Sequence, residues 1–264
     1  MTELYRGIWV VAYRELLTFV SDRTRIAASL AFPILFLVIF GAGFGGIVGR
    51  MAGEVDLLTF MYPGIVGQAV LITSLFAGVS VVSDRESGFL REILVAPLSR
   101  TGIVLGKAIG AAVVAMVQVL MLLALAPLVG VGLEAGMVVQ LVPIVLLLSF
   151  VLAGIGILIA SFAPTQQGFQ LFMQMLVFPM IFLAGVFFPV DSVPAWMQVL
   201  SKINPATYGV DAIRHVFLGS GPAAAGLGVS VFGHTMTLVE EVALVGTLGV
   251  AFLGAAAWRF ARQE

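Results

Sequence analysis

The 264-residue sequence has no cysteine and little charge. The first absence excludes disulfides, thiolate metal sites and a cysteine nucleophile. The second says more: only 10% of the residues are charged and 61% are hydrophobic, whereas ordinary soluble domains carry about 25% charge. Water is not the main solvent of such a chain. Its 13 basic and 14 acidic residues leave a formal charge of -1, so no basic excess calls for nucleic acid and no acidic tail calls for a cation. Ionisable groups are also missing near the centres of the long apolar runs, where they would be expensive and functional. No proton relay and no paired carboxylates for hydrolysis are visible. Lys107, Glu240 and Glu241 fall near the ends of these runs, where side chains can snorkel to water. His215 and His234 stand 19 positions apart without an acid cluster in support, so no metal site is expected. A nucleotide site fails too. Gly102 to Ala108, GIVLGKA, has three rather than four residues between its glycines and an alanine where a phosphate loop needs a hydroxyl. The expectation is a protein without catalytic residues that binds no cofactor of its own.

What the chain does contain is apolar length. Crossing about 30 Å of hydrocarbon takes about 20 apolar residues as a helix, because lipid offers no partner to an unpaired backbone amide. Six stretches qualify: 26–46, 61–83, 103–129, 137–162, 169–188 and 238–258. The predicted class is an all-α integral membrane protein with six transmembrane helices, a single domain over 26–264 preceded by a cytoplasmic segment over 1–25. Arg6, Arg14, Arg23, Arg25, Arg85, Arg91, Arg100, Lys107, Arg259 and Arg262 fall on one side of this plan, and only Arg50, Lys202 and Arg214 on the other. The positive-inside rule then makes it a multi-pass protein of the cell membrane with both termini cytoplasmic.

Three segments outside the spans are distinctive. From Tyr5 to Val20 a helical projection gathers Tyr5, Ile8, Trp9, Ala12, Tyr13, Leu16, Phe19 and Val20 on one arc, with Glu3, Arg6, Arg14 and Glu15 opposite. This is either a helix in the membrane interface or an amphipathic helix packed on the rest of the chain. The cytoplasmic loop 84–100, DRESGFLREILVAPLSR, follows a capping-box spacing between Ser83 and Glu86 that predicts a helix start, and Pro97 stops it. Phe89, Leu90, Ile93 and Leu94 then form a ridge flanked by Arg85, Glu86, Arg91 and Glu92, fit for a partner's groove or for the lipid surface. On the outer side, 189–219 holds two short helices. Pro194 opens the first, Asn204 and Pro205 break it and cap the second, and Gly219 stops that one. Trp196, Met197, Leu200, Tyr208, Ile213 and Phe217 make both apolar, as in a re-entrant hairpin sheltered by protein.

Polar residues inside the runs are mostly glutamines. Gln68 and Gln118 lie in the second and third runs, and Gln166, Gln170 and Gln174 share a face leading into the fifth. They serve as hydrogen-bonding glue between helices or as a polar stripe along a path. Gly102, Gly106 and Gly110 repeat every four residues, a smooth face for close helix approach, and Gly41 and Gly45 repeat the device in the first run.

DRESGFLREILVAPLSR at 84–100 and FPVDSVPAWMQVLSKINPATYGVDAIR at 188–214 resemble the type-2 ATP-binding-cassette (ABC) exporter permeases, in the branch of daunorubicin-resistance and nodulation-signal exporters. The six-run plan and amphipathic start are similar as well. The resemblance implies a half-sized permease that pairs with a second copy or a close paralogue in the lipid bilayer and binds two ABC ATPase subunits, which carry the ATP and Mg. It implies ATPase coupling through Glu86, Phe89, Leu90, Arg91, Ile93 and Leu94, an interface helix presenting Tyr5, Trp9, Tyr13 and Arg14, a translocation path with Gln68, Gln170 and Gln174, and an external hairpin marked by Pro194, Trp196, Asn204, Pro205, Tyr208 and Arg214. The family moves drugs, lipids and glycans, and a hydrophobic or amphipathic small molecule is the favoured expectation. A membrane scaffold or membrane-embedded transferase is the alternative, separated from it by whether an ABC ATPase gene lies alongside.

Overall fold

A computed structural model describes residues 2–39, 57–88, 99–219, 228–231 and 233–262. Nearly all of them are helical: α1 (Thr2–Ser21), α2 (Arg23–Val38), α3 (Leu57–Leu75), α4 (Gly78–Glu86), α5 (Arg100–Leu125), α6 (Ala135–Ala160), α7 (Gln166–Leu183), α8 (Ala195–Ile203), α9 (Pro205–Leu218) and α10 (Leu238–Ala261). A two-residue antiparallel pair, β1 (Ser230–Val231) with β2 (His234–Thr235), precedes α10. Local chemistry sets the boundaries. Asp22, Ser99 and Thr165 cap α2, α5 and α7 through their side chains, and Thr237 with Glu240 forms a full capping box on α10.

Among the described residues four helices are long and apolar enough to cross a membrane: Phe60–Glu86, which joins α3 to α4, Thr101–Leu128, Ala135–Ala160 and Leu238–Phe260. They match four of the six expected runs to within a few residues. The described part of α2 is 16 residues long, and α7 dilutes its apolar residues with Gln166, Gln167, Gln170 and Gln174.

The bundle is built around α3, which packs against α5, α6 and α9 and buries Tyr62, Ile65, Val66 and Leu71 among Leu148, Leu152, Val210 and Ile213. The Tyr62 hydroxyl donates to the Leu122 carbonyl at 2.5 Å, as a buried phenol requires. Phe60 and Asp84 lie 24 residues apart on α3 and α4, roughly 35 Å of helix, and ionised side chains gather at those two levels. Arg14, Glu15, Asp84 and Lys107 meet at one end; Asp211, Arg214, His215 and Glu241 meet at the other. The apolar layer between them has about the thickness of a bilayer core.

Three expectations change. First, the apolar arc of α1 divides. Gly7, Val11 and Phe19 are buried and Ile8 and Ala12 partly so, while Tyr5, Trp9 and Tyr13 are exposed, and Arg14 and Glu15, expected on the free polar face, turn into the protein. The cause is the glycine stripe of α5: a methyl on Gly106 would meet Val11 Cβ at 2.8 Å, and one on Gly110 would meet Glu15 Cβ at 2.7 Å. Second, Ser83 and Glu86 do not start a helix. They lie in the last turn of α4, which closes at Ser87 and Gly88, the latter at φ +77°, a left-handed stop that favours glycine. Third, Lys107 and Glu241 do not snorkel; they are 2% and 0% exposed. The coupling ridge Phe89, Leu90, Arg91, Ile93 and Leu94 lies outside the described residues, as do Gly41 and Gly45.

Candidate functional site

A cavity of about 900 Å³ opens between α2, α3 and α7. Phe32, Phe36, Phe76, Phe178, Phe182, Phe187 and Phe188 wall it, and the side chains that bring polarity are Gln68 from α3 and Gln174 from α7. Gln68 is 4% exposed and its Oε1 has no hydrogen-bond partner among the described residues. A buried amide oxygen without a donor costs stability, so Gln68 is not acting as interhelical glue through that atom. Gln118 is: its Nε2 donates to the Ser29 carbonyl at 2.9 Å and its Oε1 accepts from the Thr73 hydroxyl. Gln174 is exposed, whereas Gln170, one turn earlier, is half-buried and does not line the cavity. Of the glutamines expected on a path, Gln68 and Gln174 line this cavity.

At the α1 end, the Asp84 carboxylate accepts from Arg14 Nη2 at 2.9 Å and from Lys107 Nζ at 2.7 Å. Lys107 also donates to Ser80 Oγ at 2.9 Å and sits 3.4 Å from Glu15 Oε1. Three helices, α1, α4 and α5, are thereby held by one charged knot. The next two residues continue it. Arg85 donates to the carbonyls of Ala160 and Ala163, and Glu86 accepts the Gln166 amide at 3.0 Å. Sequence reasoning missed Lys107 and Asp84 because their partners stand 92 and 70 positions away in α1. Trp9 and Tyr13 stack on the exposed face of α1, with centroids 6.3 Å apart.

At the other end the chain breaks into two short helices at Asn204. Pro194 precedes α8, Pro205 opens α9, and Asn204 joins them, accepting from the Ala206 amide and donating to the Met180 carbonyl at 2.8 Å. The Tyr208 hydroxyl donates to the Lys202 carbonyl at 2.6 Å, closing the hairpin on itself. Its two halves differ in burial: α9 belongs to the core, whereas α8 leaves Trp196, Val199, Leu200 and Ile203 exposed. Arg214 is 2% exposed, donating to the Gly185 carbonyl at 2.5 Å and stacking on Phe60. Burial lowers the pKa of its guanidinium and Asp211 opposes that shift. His215, read from the sequence as lacking an acid cluster, has Glu241 at 3.1 Å and Asp211 one turn away on α9. The D-x-x-R-H spacing held that signal; Glu241 came from 26 positions further on.

Comparison with known proteins places this architecture. A transport permease, ycf38, of Cyanophora paradoxa is 32% identical over 190 residues, which cover 70% of this chain and 65% of that protein, just under two thirds of its length. Nodulation protein J of Rhizobium meliloti (strain 1021) is 28% identical over 204 residues, 76% of this chain and 77% of the relative. A multidrug ABC transporter permease of Escherichia coli (strain K12), YbhR, is 32% identical over 168 residues, 62% of this chain and 45% of its own length. The family model for the ABC-2 type transporter matches residues 6–218, from the first helix to the end of α9. The chain therefore belongs to the ABC-2 type transporter family and is a membrane-embedded ABC permease.

Proposed function

We propose that this chain is half of the membrane channel of an ATP-driven exporter, working as a dimer with two separate ATPase subunits and moving a hydrophobic or amphipathic small molecule. The observation that carries this reading is the cavity between α2, α3 and α7, whose phenyl walls and two amides suit a largely apolar guest with a few polar groups. The multidrug name of one relative agrees with that chemistry. In this reading α2 and α7 also cross, giving six spans; the 18 residues of α7 amount to about 27 Å of helix. The loop 89–98 follows directly from the charged end of α4, so a push from an ATPase on that loop would travel into α5 through Lys107, into α1 through Arg14 and towards α7 through Glu86.

The test is co-expression with a candidate ABC ATPase and capture of one subunit by a tag on the other. Leu94→Asp removes an apolar contact worth roughly 1.5–3 kcal/mol and sets a carboxylate against apolar surface, so subunit affinity should fall at least about tenfold. Leu200→Asp on exposed α8 should leave capture unchanged. In the assembled complex, Ile72→Trp, which fills the cavity, should abolish substrate-stimulated ATPase activity while basal hydrolysis persists. Full capture with Leu94→Asp together with full stimulation in Ile72→Trp would sink the proposal.

Orientation has its own test. With both termini cytoplasmic, a cysteine at Ser192 should react with an impermeant thiol reagent added outside, and one at Ser87 should not. The opposite labelling pattern inverts the topology.

A further inference from the structure

The polar cluster joining α9 to α10 has a composition that the hairpin's architecture does not need. Asp211 and His215 stand one turn apart on α9, and Glu241 reaches them from the first turn of α10; one oxygen or nitrogen from each lies within 4.8 Å of the others. Asp211 and Glu241 are 1% and 0% exposed. Two carboxylates at that depth face one full cation, Arg214, whose Nη1 is 3.3 Å from Asp211 Oδ1 and whose Nη2 donates to the Gly185 carbonyl, while its Nε is buried without a partner among the described residues. One negative charge is left over. The Asp211 Oδ2 accepts the Val229 amide at 2.7 Å and Glu241 Oε2 meets His215 Nδ1, but Glu241 Oε1 is buried with no hydrogen-bond partner among the described residues. A buried carboxylate oxygen in that state calls for a cation or a proton.

We infer that Asp211, His215 and Glu241 bind a divalent transition-metal ion of the zinc or manganese class, pinning the hairpin to the last long helix. An imidazole with two carboxylates suits such ions, and alkaline-earth ions prefer all-oxygen sets. An ion held tetrahedrally at about 2.0–2.2 Å from each ligand spans ligands about 3.3–3.6 Å apart, so side-chain adjustments of about 1 Å close the set. Access comes past His215, whose side chain is 24% exposed. Gly228, beside it, adds no side chain of its own: even a methyl there would stand 3.5 Å from His215 Nε2.

The experiment uses the untagged full chain in detergent, stripped with a chelator, dialysed against Zn²⁺ or Mn²⁺ and assayed for metal by mass spectrometry, with thermal unfolding in parallel. Wild type should take up one ion per chain and gain thermal stability from it. Glu241→Gln and His215→Ala should bind at least about tenfold more weakly and lose the stabilisation, whereas His234→Ala, altering the exposed His234–Glu240 pair, should behave as wild type. Should Glu241→Gln not fold, His215→Asn carries the same comparison from a partly exposed position. Wild type that takes up no stoichiometric metal, as expected where a proton on His215 balances the charge instead, overturns the assignment. So does uptake that His215 substitutions leave unchanged. None of these readouts involves transport, so the inference stands or falls separately from the exporter proposal.

Discussion

Asp84→Ala should cost the folded protein about 3–5 kcal/mol, the range found when one partner of a buried ion pair is removed. The reason is Lys107, which is 2% exposed and would keep only Ser80 and the more distant Glu15 as partners. Lys107→Met should cost less, because Asp84 still accepts from Arg14 through both oxygens. The double variant Asp84→Ala with Lys107→Met should lie close to Lys107→Met alone, since it strands no ammonium. Denaturant unfolding in micelles, followed by intrinsic fluorescence, gives all three values and hence the coupling. Additive losses, or an Asp84→Ala protein as stable as wild type, would show that the knot is peripheral and would remove the link from α4 to α1 and α5.

A second large effect is expected at Gly156. A methyl there would overlap the Leu75 carbonyl, and a methyl on Gly78 would overlap the Gly156 carbonyl in return. The α3–α4 junction and α6 thus cross with backbone against backbone, the close approach that small residues permit between membrane helices. Carbonyls cannot turn aside as a side-chain tip can. Gly156→Val should therefore exceed the roughly 1–3 kcal/mol usual for overpacking, and its direct readout is loss of the monodisperse peak in fluorescence-detected gel filtration. Gly254→Val on α10 meets nothing within 4 Å and should elute as wild type. An unchanged profile for Gly156→Val would place the two helices further apart than described.

How much of this was legible beforehand follows from the range over which each signal acts. Hydropathy is local, so four long helices were bounded to within a few residues, and the Asn204–Pro205 break and the Gly219 stop were readable from cap and turn chemistry. The stripe Gly102, Gly106 and Gly110 announced a close helix contact, but nothing local says that the helix laid on it is α1. Once α1 packs there, Arg14 and Glu15 must face α4 and α5, which is why a projection that put them in water was wrong. The Ser83–Glu86 spacing misled because an S-x-x-E pair inside a helix looks the same as one at its start; Gly88, free to adopt positive φ, was the deciding residue. Lys107 and Glu241 were placed at the membrane edge by position alone; only folding brings Asp84 and Glu15 to Lys107 and His215 to Glu241, and so buries both. The fifth run, 169–188, was legible despite its glutamines and overlaps α7, but nothing local says that Gln174 would line a cavity.

The cavity has a consequence for selectivity. A pocket that recognises a guest by apolar contact separates neighbours differing by one methylene by only about 1–3 kcal/mol, and does not strongly reject an isostere that adds a hydroxyl. Stringent discrimination, about 10⁴-fold and beyond, comes from sites whose buried donors and acceptors would be left unpaired by the wrong guest. Here two amides stand among seven phenyl rings, and one of those amides already lacks a partner, so a guest without a matching donor leaves it no worse off. In the proposed exporter such a chamber would sort its passengers by girth and greasiness, and a breadth of substrates would follow; narrowing that breadth would take new hydrogen-bonding groups on the walls rather than a tighter fit.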